Sequence, residues 1–171
     1  TKKMSTGLQF DFTVDKAKNT ISILREFSAG LSLVWDAFTK QEILDQWGAP
    51  EPWIVKTKYM NFKIGGRRLY SMESPEGQEH WSIQEFTSIS PKTNFKMLTN
   101  FSDRDGNINT EFNSSENNLE FSEANGITTV RITIKYATPA ILEMMIEKGF
   151  REGFTMTMNN LEKLLTTLSE K

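Results

Sequence analysis

The feature that most constrains this chain is a change of period near residue 137. Before it, short apolar–polar alternations recur with turn residues between them. After it, apolar residues return every three or four positions. Alternation is the period of a strand with one buried face, and the three-and-four spacing is one face of a helix. Leu8-Gln9-Phe10-Asp11-Phe12-Thr13-Val14 alternates, residues 16–19 break the pattern, and Thr20 to Phe27 resumes it, which predicts a hairpin. Beyond Ser28-Ala29-Gly30, the residues Leu31, Val34, Trp35 and Phe38 mark a short helix with Ser32 as its N-cap. Ile43, Leu44 and Trp47 mark a second, with Thr39 as cap and Glu42 three residues later. Six strand-like runs follow, over residues 53–62, 67–73, 79–88, 94–102, roughly 111–124 and 128–136. Gly65-Gly66, Pro75-Glu76-Gly77, Ser90-Pro91-Lys92, Asp105-Gly106-Asn107 and Asn125-Gly126 separate them, the turn chemistry of an antiparallel meander.

From Pro139 onward, Ile146, Phe150, Phe154, Met158, Leu161, Leu165 and Leu168 fall on one stripe. The spacing predicts a single helix of about thirty residues, ~45 Å long. Gly149 and Gly153 inside it read as close packing or a slight bend, the alternative being space left for a ligand. A sheet whose apolar face is covered by one long helix is a two-layer α+β solution, and a sheet bent around a helix can leave a cavity beneath it. With 171 residues, one domain over 8–171 is expected, preceded by a disordered arm over 1–7.

Composition narrows the function classes. The chain has no cysteine, which removes disulfides, thiolate nucleophiles and cysteine metal sites. One histidine beside no cysteine gives no basis for a transition-metal site, and no cofactor is expected. The net charge of −2 is scattered, whereas nucleic-acid binding concentrates Lys and Arg. No apolar run reaches the ~18 residues that span a bilayer. Thr1 to Gly7 carries two lysines with no apolar stretch behind them, unlike a signal peptide, so the cytoplasm is the expected compartment.

Local residues add a resemblance. Arg25-Glu26-Phe27-Ser28-Ala29, then Leu33-Val34-Trp35-Asp36-Ala37-Phe38-Thr39, then Leu44-Asp45-Gln46-Trp47-Gly48-Ala49-Pro50 stand in order. Gly65-Gly66 through Met72 with Ser74-Pro75-Glu76-Gly77, and Gly149-Phe150-Arg151-Glu152-Gly153 near the end, complete the series. Together they resemble the activator-of-heat-shock-protein-90-ATPase homologue family of the START-like (SRPBCC, Bet v allergen-like) superfamily. The resemblance implies the helix-grip fold: a curved antiparallel sheet wrapped around one long C-terminal helix, with two short helices early in the chain and an internal hydrophobic cavity. It does not imply one activity. Where the family usually has an aromatic residue after the Gly-Gly pair, this chain has Arg68.

Arg68, Tyr70 and Met72 alternate and are expected on the concave face. An inward arginine must be paired or reach water, with Glu111 or Glu73 as expected partners, and its fork suits an anion. His80 is a candidate general acid or base but shows no partner in the sequence; it is more ordinarily structural. Eight methionines and twelve phenylalanines offer adaptable walls or ordinary core. The expected ligand-lining set is Arg68, Tyr70, Met72, His80, Trp81, Phe95, Met97, Glu111, Phe150, Phe154 and Met158. Asp103 to Asn109 has its glycine one residue too early for a calcium loop and reads as a hairpin turn. No G-x-S-x-G elbow is present. The first expectation is a module binding a small, largely hydrophobic molecule, with or without an anionic group, acting as monomer or homodimer. Catalysis is left open through the alternative, an enzyme like the polyketide cyclase and aromatase relatives. A chaperone-activating interaction protein is the third, weakened because 171 residues leave no room for the eukaryotic activator's additional chaperone-binding domain.

Overall fold

The computed structural model describes residues 8–112 and 114–169; the expected arm over 1–7 lies outside them. Eight strands form one antiparallel sheet: β1 (Phe10–Asp15), β2 (Thr20–Phe27), β3 (Ile54–Met60), β4 (Arg67–Glu73), β5 (Glu79–Ser90), β6 (Asn94–Ser102), β7 (Ser115–Ala124) and β8 (Ile127–Lys135). Their order across the sheet is β1-β2-β8-β7-β6-β5-β4-β3. The N-terminal hairpin thus joins the last strand, and the meander β3 to β8 closes the rest. Asn125 and Gly126, with φ of 55° and 78°, link Ala124 to its partner Ile127. Positive φ at both central residues is the turn whose twist matches a hairpin. Register shifts at Thr57/Tyr59 in β3 and at Phe86/Ser88 in β5 bend those strands.

Between β2 and β3 lie α1 (Leu31–Thr39) and α2 (Gln41–Trp47). Neither uses the expected cap. Gly30 precedes α1 without a side-chain bond, and Glu123 on β7 accepts from the Leu31 N–H at 2.8 Å. Thr39 ends α1 and donates its hydroxyl to the Trp35 carbonyl at 2.8 Å, so Lys40 stands at the start of α2.

The C-terminal segment corrects the expectation of one helix. It is two, α3 (Pro139–Glu147) and α4 (Phe150–Ser169). Thr138 caps α3, accepting from the Ile141 N–H at 3.2 Å, with Pro139 in the first turn. The break falls at Gly149, whose φ is +90°, a left-handed value that glycine adopts without steric cost. The unbroken apolar stripe hides this elbow, because Ile146 and Phe150 keep the spacing across it.

The core sits on the concave face. Ile21, Ile23 and Phe27 of β2, Val130, Ile132 and Ile134 of β8, and Leu119 and Phe121 of β7 are buried there. Met158, Leu161 and Leu165 of α4 and Leu142 of α3 cover them and are almost fully buried. Each such side chain contributes about 1.5–3 kcal/mol on burial. Among the described residues no helix is long and apolar enough to cross a membrane.

Candidate functional site

Cross-strand partners point to the same side of a sheet, so register maps the concave face residue by residue. Two halves emerge. In the half around β8, β2 and the near ends of β5 to β7, aromatic rings fill the space under the sheet. Trp35 of α1 contacts Phe121, Phe95 and Phe62 with centroids 5.0, 5.7 and 6.0 Å apart. Phe62 in turn meets Phe86 at 4.9 Å and Phe95 at 5.3 Å. Most of these contacts are edge-to-face, the arrangement ring quadrupoles favour.

The other half is polar. Arg68 pairs with Gln84, Gln84 with Thr99 and Thr99 with Ser115, forming a row across β4, β5, β6 and β7. Beside it run Tyr70 opposite Ser82, and Met97 opposite Asn117. The row is buried at one end, where Arg68 and Gln84 are 5% and 8% exposed. It opens at the other, where Thr99, Ser115 and Asn117 are half-buried. Asn117 donates to the hydroxyls of Thr99 at 3.1 Å and Ser115 at 3.3 Å.

Arg68 points inward, and its partner is Asp45 of α2 rather than Glu111 or Glu73. Its Nη2 lies 3.7 Å from Asp45 Oδ1, its Nε donates to Thr57 Oγ1 at 3.2 Å, and its guanidinium sits 4.1 Å over the Tyr70 ring. Thr57 donates to Asp45 Oδ1 at 2.6 Å through its hydroxyl and to Oδ2 at 3.2 Å through its N–H. Burial pulls the guanidinium pKa below its ordinary value, with Tyr70 and Asp45 opposing that shift. The Nη groups make no hydrogen bond within the described residues, and neither does the Gln84 amide.

The other expected residues divide. Tyr70, Met72 and Met97 share the concave face with Arg68. His80 also lies there, opposite Met72, but is exposed, its ring 5.2 Å from that of Trp53. Trp81, its sequence neighbour, faces the other side of the sheet. There it donates to Glu79 at 3.0 Å between Lys58 and Arg104, so it does not belong to the lining set. Glu111 is exposed in the β6–β7 connection, short of the strand that begins at Ser115. Phe95 belongs to the ring cluster and Met158 to the covered core. Phe150 and Phe154 pack half-buried on Phe12 of β1, away from the polar row. Sequence reasoning missed Asp45, Thr57, Gln84, Thr99 and Asn117. An inward arginine does demand an acid, and Asp45 stood within a quoted motif.

Asp103 closes its loop, accepting from the N–H groups of Asp105 and Asn107 at 2.9 Å each, as a hairpin turn does. Among the described residues no group of three or more His, Asp or Glu side chains is placed to hold a metal ion.

The comparisons with known proteins bear on this architecture. Residues 28–166 match the family described as Activator of Hsp90 ATPase homolog 1-like protein. A Staphylococcus epidermidis protein solved by NMR is 32% identical, with a TM-score of 0.81 over 91% of this chain and 94% of that one. Protein Ms6760 from Mycobacterium smegmatis is 26% identical, with a TM-score of 0.84 over 92% and 96%. CalU16 from Micromonospora echinospora, at 15% identity and a TM-score of 0.62 over 92% and 85%, shares the fold. No curated protein matches the chain.

Proposed function

The chain belongs to the Activator of Hsp90 ATPase homolog 1-like family, and we propose that it binds a small amphiphile at the polar half of its concave face. The ligand's carbonyl or carboxylate oxygen lies against Arg68 and Gln84, and its apolar body lies along Tyr70, Met72 and Met97. One observation carries this reading. Arg68 and Gln84 are register partners, both residues are buried, and neither the Arg68 Nη groups nor the Gln84 amide makes a hydrogen bond within the described residues, Asp45 Oδ1 standing 3.7 Å from Nη2. Among the described residues the fully enclosed side-chain atom without a partner is Glu162 Oε1, so the Arg68 and Gln84 donors keep access to water, and a ligand oxygen reaching them gains charge-assisted hydrogen bonds. The ring cluster occupies the other half of the face, so the ligand lies in an open trough and not in a sealed chamber beneath the helix. Asp45 offsets the arginine's charge, which admits a neutral carbonyl as well as a carboxylate.

The test is thermal shift with decanoate and decanamide against the parent, Arg68→Leu and Gln84→Leu. Selective binding to the native state raises the melting temperature. Stabilisation of the parent that is lost in both variants is the expected result. Equal stabilisation of all three proteins, or none of the parent at millimolar probe, overturns the reading.

A further inference from the structure

A concavity of about 370 Å³ borders the sheet's polar half, between α2, the start of β3 and α4. Its floor is apolar. Trp47 is 7% exposed and Val55 5%. The Trp47 indole N–H donates to the Ala37 carbonyl at 3.0 Å, and Phe38 packs edge-on against its ring at 5.0 Å, which fixes the ring. Gly48 lets this floor form. A Cβ there would meet the Leu44 carbonyl oxygen at 2.9 Å and Val55 Cγ1 at 3.3 Å, so a side chain would push α2 away from β3. The lip on the β3 side is Trp53, half-buried, and Ile54, 53% exposed. The His80 ring stands 5.2 Å from that of Trp53, and Ile54 is apolar surface exposed beside it.

The lip on the α4 side is polar. Asn160 and Lys163 are three residues apart on one helix and therefore share a face. Both line the concavity. Neither makes a side-chain hydrogen bond or ion pair among the described residues. Two acidic residues also border the space, and they differ. Asp45 is spent on Thr57 and Arg68. Glu51 also lines the concavity but is exposed to water, where its charge is screened. The free donors, a lysine ammonium and a carboxamide, thus stand together over an aromatic floor.

We infer that this concavity is a second binding site, taking a small planar ring compound that carries a carboxylate. The ring lies on Trp47, Trp53 and Val55. The carboxylate accepts from Lys163 Nζ and from the Asn160 amide, a charge-assisted pairing stronger than a neutral one. The volume accommodates one or two fused rings. The site adjoins the amphiphile site, sharing Asp45 with the Arg68 pair and placing Val55 opposite Met72, and it differs from that site in the group that binds the carboxylate.

The experiment uses naphthalene-2-carboxylate and its uncharged amide as probes, followed by amide chemical shifts of the whole chain. The carboxylate is expected to move resonances of residues 47–55 and 160–163. Lys163→Gln, on an exposed position, is expected to weaken the carboxylate about tenfold, roughly the loss of one charge-assisted hydrogen bond. It should leave the amide's weaker binding unchanged. Gln84→Leu, which leaves the Arg68–Asp45 pair in place, is expected to leave both alone. Shifts confined to the Arg68, Gln84 and Thr99 row would overturn the second site while supporting the first. So would silence at 47–55 and 160–163 up to millimolar probe. Equal affinity in Lys163→Gln would overturn the assignment of the carboxylate to α4.

Discussion

The two halves of the concave face each contain one inward arginine, and the two are solved differently. Arg25, in the ring-filled half, is 7% exposed and sits over the rings of Phe10 and Phe27 at 5.2 and 5.3 Å. Its Nη1 donates to Asn159 at 3.2 Å, and Glu162 lies 3.8 Å from Nη2, both on α4. Arg68, in the polar half, sits over Tyr70 and answers to Asp45 through Thr57. Arg25 therefore ties the sheet to the long helix inside a packed region, where its role is structural. Arg68 ties the sheet to a short helix at the buried end of the polar row, with donors left over. The difference is one of neighbours. Around Arg25 the register partners are Val130 and Phe10; beside Arg68 lies Gln84.

That contrast is most easily broken in the ring-filled half. Phe95 is 2% exposed and touches Trp35, Phe62, Phe86 and Phe121. Phe95→Ala is expected to cost about 3–5 kcal/mol, a large share of an ordinary ~5–15 kcal/mol domain stability. A denaturant melt would read it. A loss under ~1 kcal/mol would mean that the rings do not plug this half and that ligand space extends beneath it.

The polar half can be sharpened by unequal treatment of one ion pair. Asp45→Ala strands a buried guanidinium, while Arg68→Met removes the charge and leaves a hydrophobe of similar length. Removing one partner of a buried pair is costly, and replacing the charge by a packed apolar group is often near neutral. Because the Asp45 side chain is 28% exposed, the first change is expected to cost about 2–3 kcal/mol rather than the full buried-pair penalty. The second should cost under ~1 kcal/mol. Equal costs would show that Asp45 stabilises its own turn through Thr57 and not the arginine.

How far the sequence revealed this contrast follows from what each signal encodes. Alternation put Arg68, Tyr70 and Met72 on one face, because a period of two is local. Asn125-Gly126 marked its hairpin for the same reason. The same alternation separates His80 from Trp81, so the two could not line one surface. The partner of Arg68 lies 23 positions away on a helix that docks against β3, and no local period encodes docking. Gln84 and Thr99 become neighbours of Arg68 only through the register of three strands, which the bulge in β5 shifts. The elbow at Gly149 was masked because two helices in line share one stripe. The family resemblance supplied the fold, but the family's aromatic position is where this chain departs, so it could not supply the polar row.

The smallest expected effect concerns Glu162, the carboxylate facing Arg25. Its Oε1 is buried without a hydrogen-bond partner, since Arg25 Nη2 at 3.8 Å is beyond bonding distance. Burial pushes its pKa above the ordinary carboxylate value, opposed by Arg25 and by a backbone hydrogen bond from Ser28. The folded protein therefore holds this proton more tightly than the unfolded chain does. Between the ordinary glutamate value of ~4.3 and the raised folded value, the native state carries more protons. Stability must then fall as pH rises through that window, because the slope follows the unfolded-minus-native proton count. The contribution is fully present below the ordinary value and is lost above the folded one. Glu79 and Asp103 have pKa values held below the ordinary range by hydrogen bonds, first from Trp81 and from Asn107 respectively. Their contributions disappear as pH falls, in a lower window and with the opposite sign. Subtracting the stability of Glu162→Gln from that of the parent across about pH 4 to 7 isolates the glutamate. The difference is expected to move against the parent as pH rises. A flat difference, or one that moves the other way, would mean that Arg25 outweighs burial at this position. The ring-filled half would then hold a true ion pair, like that of Arg68, whose Nη2 stands 3.7 Å from Asp45 as Arg25 Nη2 stands 3.8 Å from Glu162.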